Sequence, residues 1–113
     1  MIQNSGVIPE DRIMARQRIV IEACLRHKIP FFWRSTGTLL ISGTGIRTVL
    51  RDLSAQGSRI LGLEGFELEG PVIHPRLDLI FDASRRPDID DASAIVANWP
   101  EGVWVDVSIA DGP

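Results

Sequence analysis

The stretch Ser58–Asp82, S-R-I-L-G-L-E-G-F-E-L-E-G-P-V-I-H-P-R-L-D-L-I-F-D, decides how the chain folds. Phe66 and Leu68 alternate with Glu67 and Glu69, and Leu77, Leu79 and Phe81 alternate with Arg76, Asp78 and Asp82. A period of two belongs to strands with one apolar and one polar face. Gly70-Pro71 supplies turn chemistry, because glycine permits positive φ and proline fixes φ. The stretch therefore predicts a meander of three short strands. Its polar face would carry Glu67, Glu69, Asp78 and Asp82 as an acidic strip.

Upstream, Pro9-Glu10-Asp11 suits the opening turn of a helix, with carboxylates at the positive end of the dipole. Ile13, Met14, Val20, Ile21, Cys24 and Leu25 form its apolar stripe, and the helix should stop before Pro30, which disfavours helical geometry in Ile29. A hairpin follows, from Ile29–Arg34 through Ser35-Thr36-Gly37 to Thr38–Ser42. Phe31, Phe32 and Trp33 alternate faces within it, so at least one aromatic ring turns away from the main core. Ile46, Val49, Leu50 and Leu53 then fall at i, i+3, i+4 and i+7 of a half-buried helix, with Thr44 as its cap and Gly57 as its left-handed stop.

Downstream, Ser84–Asp88 reads as a loop, with Asp88 or Asp90 capping a short helix that aligns Ala92, Ile95, Val96 and Trp99. The final strand, Val103–Ile109, turns Val103, Val105, Val107 and Ile109 inward and Trp104, Asp106 and Ser108 outward. The expected fold is one α+β domain spanning residues 1–113, frayed at 1–8 and 110–113. It would hold a mixed or mainly antiparallel sheet of five to six strands and three helices, in the order α-β-β-α-β-β-β-α-β.

A chain of 113 residues with 44% hydrophobic and 24% charged content is in the globular range. No run approaches the roughly eighteen apolar residues of a membrane-spanning helix. Met1–Gly6 holds no basic segment leading into an apolar stretch, so no signal peptide is expected. A single cysteine, Cys24, fits a reducing cytoplasm and sits in an apolar stripe as a structural thiol. The net charge of −3 hides an asymmetry. Residues 1–60 hold nine Arg/Lys against four acids, whereas residues 61–113 hold three against eleven. Such a division favours an acidic face that steers a basic partner and repels nucleic acid.

Motifs for chemistry are sparse. Gly43-Thr44-Gly45 lacks the lysine of a P-loop and the third glycine of a dinucleotide fingerprint. His27 and His74 stand far from any Cys/His cluster, so neither a metal site nor a cofactor is expected. His74 near Asp78, Asp82 or Asp106 is the one arrangement resembling a general base oriented by a carboxylate.

With this size, this acidity and the Leu61-Gly62-Leu63-Glu64-Gly65-Phe66-Glu67-Leu68 meander, the chain resembles small cytosolic immunity proteins of bacteria, which accompany secreted polymorphic or contact-dependent toxins. The resemblance implies a compact protein without an active site that neutralises a toxin domain by covering an essential surface. It is one of build, and no site residue is carried over from it. The leading expectation is a protein-binding module presenting Glu67, Glu69, Asp78, Asp82 and Asp106, with Trp104 as anchor, to a basic toxin surface. The alternatives are a small enzyme using His74 with a carboxylate, and a homo-oligomeric structural or regulatory module such as a homodimer.

Overall fold

In the computed structural model, which describes residues 8–33, 38–82 and 89–110, with side chains from 15 onward in the first span and from 92 in the last, three helices and five strands alternate. Helix α1 runs Ile8–Arg26 and is followed by strands β1 (Phe31–Trp33) and β2 (Leu39–Ser42). Helix α2 (Ile46–Ala55) leads into β3 (Arg59–Glu69) and β4 (Val72–Asp82). Helix α3 (Ile89–Val96) and β5 (Trp104–Ala110) complete the order. The expected α+β class holds. The turn at 35–37, the loop at 84–88, the frayed ends at 1–7 and 111–113, and the side chains of Pro9, Glu10, Asp11, Ile13, Met14 and Asp90 lie outside the described residues.

All strand pairs are antiparallel, in the spatial order β1-β2-β5-β3-β4. The strand count is five because Ser58–Asp82 makes two strands of eleven residues each, not three short ones. Gly62 and Gly65 lie inside β3. At Gly65 the reason is close packing: a Cβ there would stand 2.8 Å from the Cβ of Leu79 and 3.2 Å from Cγ1 of Val103. The register slips at the same place. Glu64 faces Ile80 but Gly65 faces Arg76, so Leu77, Asp78 and Leu79 bulge from β4. The bulge turns Leu79 into the core and leaves Leu77 80% exposed, which breaks the simple alternation of Leu77, Leu79 and Phe81. Pro75 is tolerated within β4 because this is an edge strand.

The core lies between the helices and one face of the sheet. Ile46, Val49, Leu50 and Leu53 of α2 are fully buried, as their spacing predicts, and α2 and α3 both pack on β3 while α1 packs on α2. Each such side chain contributes about 1.5–3 kcal/mol through burial. On α1 the buried set is Val20, Ala23 and Cys24, with Ile19 and Ile21 against them, whereas Leu25 is 62% exposed. On α3, Ala92 and Val96 are buried while Ile95 turns outward, and Trp99 in the turn after the helix packs on the core.

Helix ends show two versions of one device. Gly57, with φ of +89°, closes α2 while Ser58 N–H donates to Leu53 O at 3.0 Å and Gly57 N–H to Ser54 O at 3.0 Å. Lys28 takes the same role after α1 at φ of +56°, with Ile29 N–H donating to Cys24 O at 2.9 Å. The start of α2 differs from expectation: its cap residue is Gly45, without a side-chain cap bond, and the Thr44 hydroxyl instead meets that of Ser42 at 2.9 Å.

Candidate functional site

The strand registers divide the outward residues of the sheet between its two sides. Val105 stands opposite Ile41 and Gly65, and Val107 opposite Leu63, so these positions share the side covered by α2 and α3. Trp104 stands opposite Ser42 and Phe66, and Asp106 opposite Glu64, on the other side. A one-residue irregularity at Leu61 keeps Ile60 in the core while Gly62 joins Ser108 on that second side. The six residues expected to form one partner-binding face are therefore split. Glu67 and Glu69 follow Leu63 and Gly65 on the helix side, and Asp78 joins them through Arg76. Trp104, Asp106 and Asp82 belong to the opposite face, Asp82 standing across from Gly62.

On the helix side, the β3–β4 ribbon runs past the helices and carries a charge ladder. Arg76 donates to Asp78 through Nε and Nη2 at 2.9 and 2.7 Å, and through Nη1 to Glu67. His74 Nε2 meets Glu69 Oε1 at 3.0 Å. The Arg76 guanidinium holds the Asp78 carboxyl below the usual carboxylate range, and the two carboxylates raise Arg76 in turn. This ladder is exposed and its groups are engaged with one another, the setting in which ion pairs contribute little. The His74–Glu69 pair is open to solvent on both sides, and the carboxylate that His74 meets is Glu69.

The opposite face is built differently. Phe32 from β1 meets the Trp104 ring edge-on, with centroids 5.2 Å apart and planes at 60°. Phe66 is the cross-strand partner of Trp104, so three aromatic residues converge on the middle of the sheet. The small Ser42 opposite Trp104 leaves space for Phe32 to reach across β2. Beside the aromatics, Glu64 and Asp106 stand directly opposite each other on neighbouring strands. Like charges in that relation destabilise a sheet. Burial pushes the Asp106 carboxyl up to about 6, and the Glu64 charge adds in the same direction. Gly62, lacking a side chain, leaves a groove of about 270 Å³ bordered by Glu64, Ile80, Asp82 and Ser108. Ile80 is 51% exposed there. The face thus combines a flat aromatic centre, an acidic margin and a dent sized for one side chain.

Other polar clusters serve the fold. Asp52 of α2, nearly buried, accepts two bonds at 2.9 Å from Arg26 and a third contact at 2.9 Å from His27, tying the end of α1 to α2. Arg26 holds its carboxyl below the usual range. Cys24 is fully buried, and burial pushes its thiol up to about 11, far from a reactive thiolate. Among the described residues no group of three or more His, Cys, Asp and Glu side chains is placed to hold a metal ion, and no helix is long and apolar enough to cross a membrane.

Comparison with protein-family models, with curated proteins and with solved structures returned no match. The site therefore rests on its own geometry. Sequence reasoning found Trp104 and Asp106 from the alternation of the last strand but missed Glu64, Phe66 and Phe32 as their neighbours. Parity along β3 does place Glu64 with Phe66. Only the β3–β5 register shows that Asp106 and Trp104 face them.

Proposed function

We propose that this chain is a protein-binding module that covers a basic surface of another protein with the face formed by Phe32, Trp104, Phe66, Glu64 and Asp106. One observation carries the reading: two carboxylates are held side by side, one of them half-buried, next to a cluster of aromatic rings. Such a pair weakens the free fold and gains most when a lysine or arginine from a partner enters between or beside its members. Aromatic rings around it supply contact area at small entropic cost, and exclude water from the charge pair once covered. The groove at Gly62 receives one long basic side chain against Ile80. Steering by the acidic half of the chain accelerates encounter, and desolvated aromatic contacts slow release.

Within this class, the build supports an immunity-type role: a cytoplasmic bacterial protein without chemistry of its own, which neutralises a cognate toxin by covering an essential basic surface. Glu67, Glu69 and Asp78 then contribute long-range charge more than contact, since Arg76 and His74 already engage them. The test is affinity capture from the native cells with the tagged chain and with Trp104→Ala, each checked for folding. Recovery of one stoichiometric protein with a basic surface by the native chain, and its loss from folded Trp104→Ala, supports the reading. Equal recovery by both chains contradicts it.

A further inference from the structure

Resting on the docking reading above, we propose that engagement of a basic side chain at this face is coupled to loss of a proton from Asp106, so that affinity rises with pH between about 5 and 7. The geometry behind this is the Glu64–Asp106 pairing across β3 and β5, beside Trp104 and Phe66. The charged groups facing Asp106 come from three elements. Glu64 stands opposite on β3. Asp82 of β4 lies across Gly62 from β5. Arg16 of α1 borders, with Gln17, the cavity of about 320 Å³ that Asp106 also lines. Leu39 of β2 and the preceding Thr38, which also line that cavity, bring no charge.

Beyond Ile41 and Val105 the β2–β5 ladder stops, although both strands continue. The half-buried Asp106 therefore sits where the sheet parts. Both burial and the Glu64 charge favour its protonated form in the free protein. A guanidinium or ammonium arriving from a partner reverses the balance. It offsets the Glu64 charge and provides a donor for the Asp106 carboxylate, so the proton leaves to solvent as the cation binds. With a free midpoint of about 6, the ionised fraction rises about tenfold from pH 5 to pH 7, and affinity follows it. Ordinary carboxylates, already mostly ionised at pH 5, add little to that change.

The experiment uses the full chain with ¹³C-labelled Asp and Glu, titrated by NMR from pH 3.5 to 8, alone and with acetylated, amidated tetra-arginine as the probe. The expected results are an Asp106 midpoint near 6 in the free chain, a lower midpoint with the peptide, and about tenfold tighter peptide binding at pH 7 than at pH 5. In Asp106→Asn the tenfold change should shrink below about twofold. An Asp106 that titrates with the other aspartates, while the peptide still shifts the Trp104 indole signal, overturns the proton coupling and leaves the docking face standing. A peptide that shifts neither Trp104 nor the Glu64 and Asp106 carboxyls at any pH overturns both.

Discussion

The two sides of the β3–β4–β5 region spend the same residue types in opposite ways. On the helix side, Glu67, Glu69 and Asp78 are drawn into a ladder with Arg76 and His74, open to water and complete within itself. On the other side, Glu64 and Asp106 face each other beside aromatic rings, and burial with like charge raises Asp106. Carboxylates that have found partners stabilise or solubilise a surface. A carboxylate kept at a cost beside apolar rings is a mark of a site adapted to another molecule. The difference lies in register more than in composition, because one residue of slip along β3 would exchange the two sets.

The largest expected effect comes from closing the space that makes the two sides distinct. Gly65→Val drives side-chain atoms into Leu79 and Val103 and should cost about 3 kcal/mol in chemical denaturation. A well-folded variant of native stability would show that the Leu79 bulge is not fixed by Gly65. Next is Asp106→Asn. The folded-state value of Asp106 lies above the ordinary carboxylate range, so its charge opposes folding. That cost is nil below about pH 4, grows as pH rises towards 6, and is full above it. Asp106→Asn should therefore stabilise the chain by about 2 kcal/mol at pH 7, allowing for partial exposure, and leave it unchanged at pH 3.5. Destabilisation at pH 7 would mean that the carboxylate is satisfied in the free fold. The smallest effect belongs to the ladder: Glu67→Gln with Glu69→Gln should change stability by less than about 0.5 kcal/mol. A larger loss would place the ribbon among the elements that hold the fold.

Much of the architecture was legible in the sequence. The i, i+3, i+4, i+7 spacing from Ile46 to Leu53 and the alternation from Val103 to Ile109 each state their own burial, and Gly57 marks its own helix end. What failed depended on contacts between distant segments. Ser58–Asp82 read as three short strands because a sequence does not show Leu79 filling the space above Gly65. Leu25 and Leu77 read as core because local period says nothing of what a neighbouring element leaves uncovered. Thr44 read as a cap, yet the Ser42 hydroxyl engages it first. The site was half legible for the same reason. Acidic residues and Trp104 stand out along the chain, but which of them share a face follows from the registers of β3 with β4 and β5.

The division of labour between the two sides meets its most direct test in calorimetric titration of the captured partner at pH 7. Three chains are compared: the native one, Glu64→Gln with Asp106→Asn, and Glu67→Gln with Glu69→Gln. The account predicts at least a tenfold loss of affinity for the first pair of substitutions and a change within about threefold for the second, consistent with desolvated against exposed charge contacts. Loss confined to the Glu67/Glu69 variant, with native affinity in the Glu64/Asp106 variant, would contradict it and move the binding surface to the ribbon.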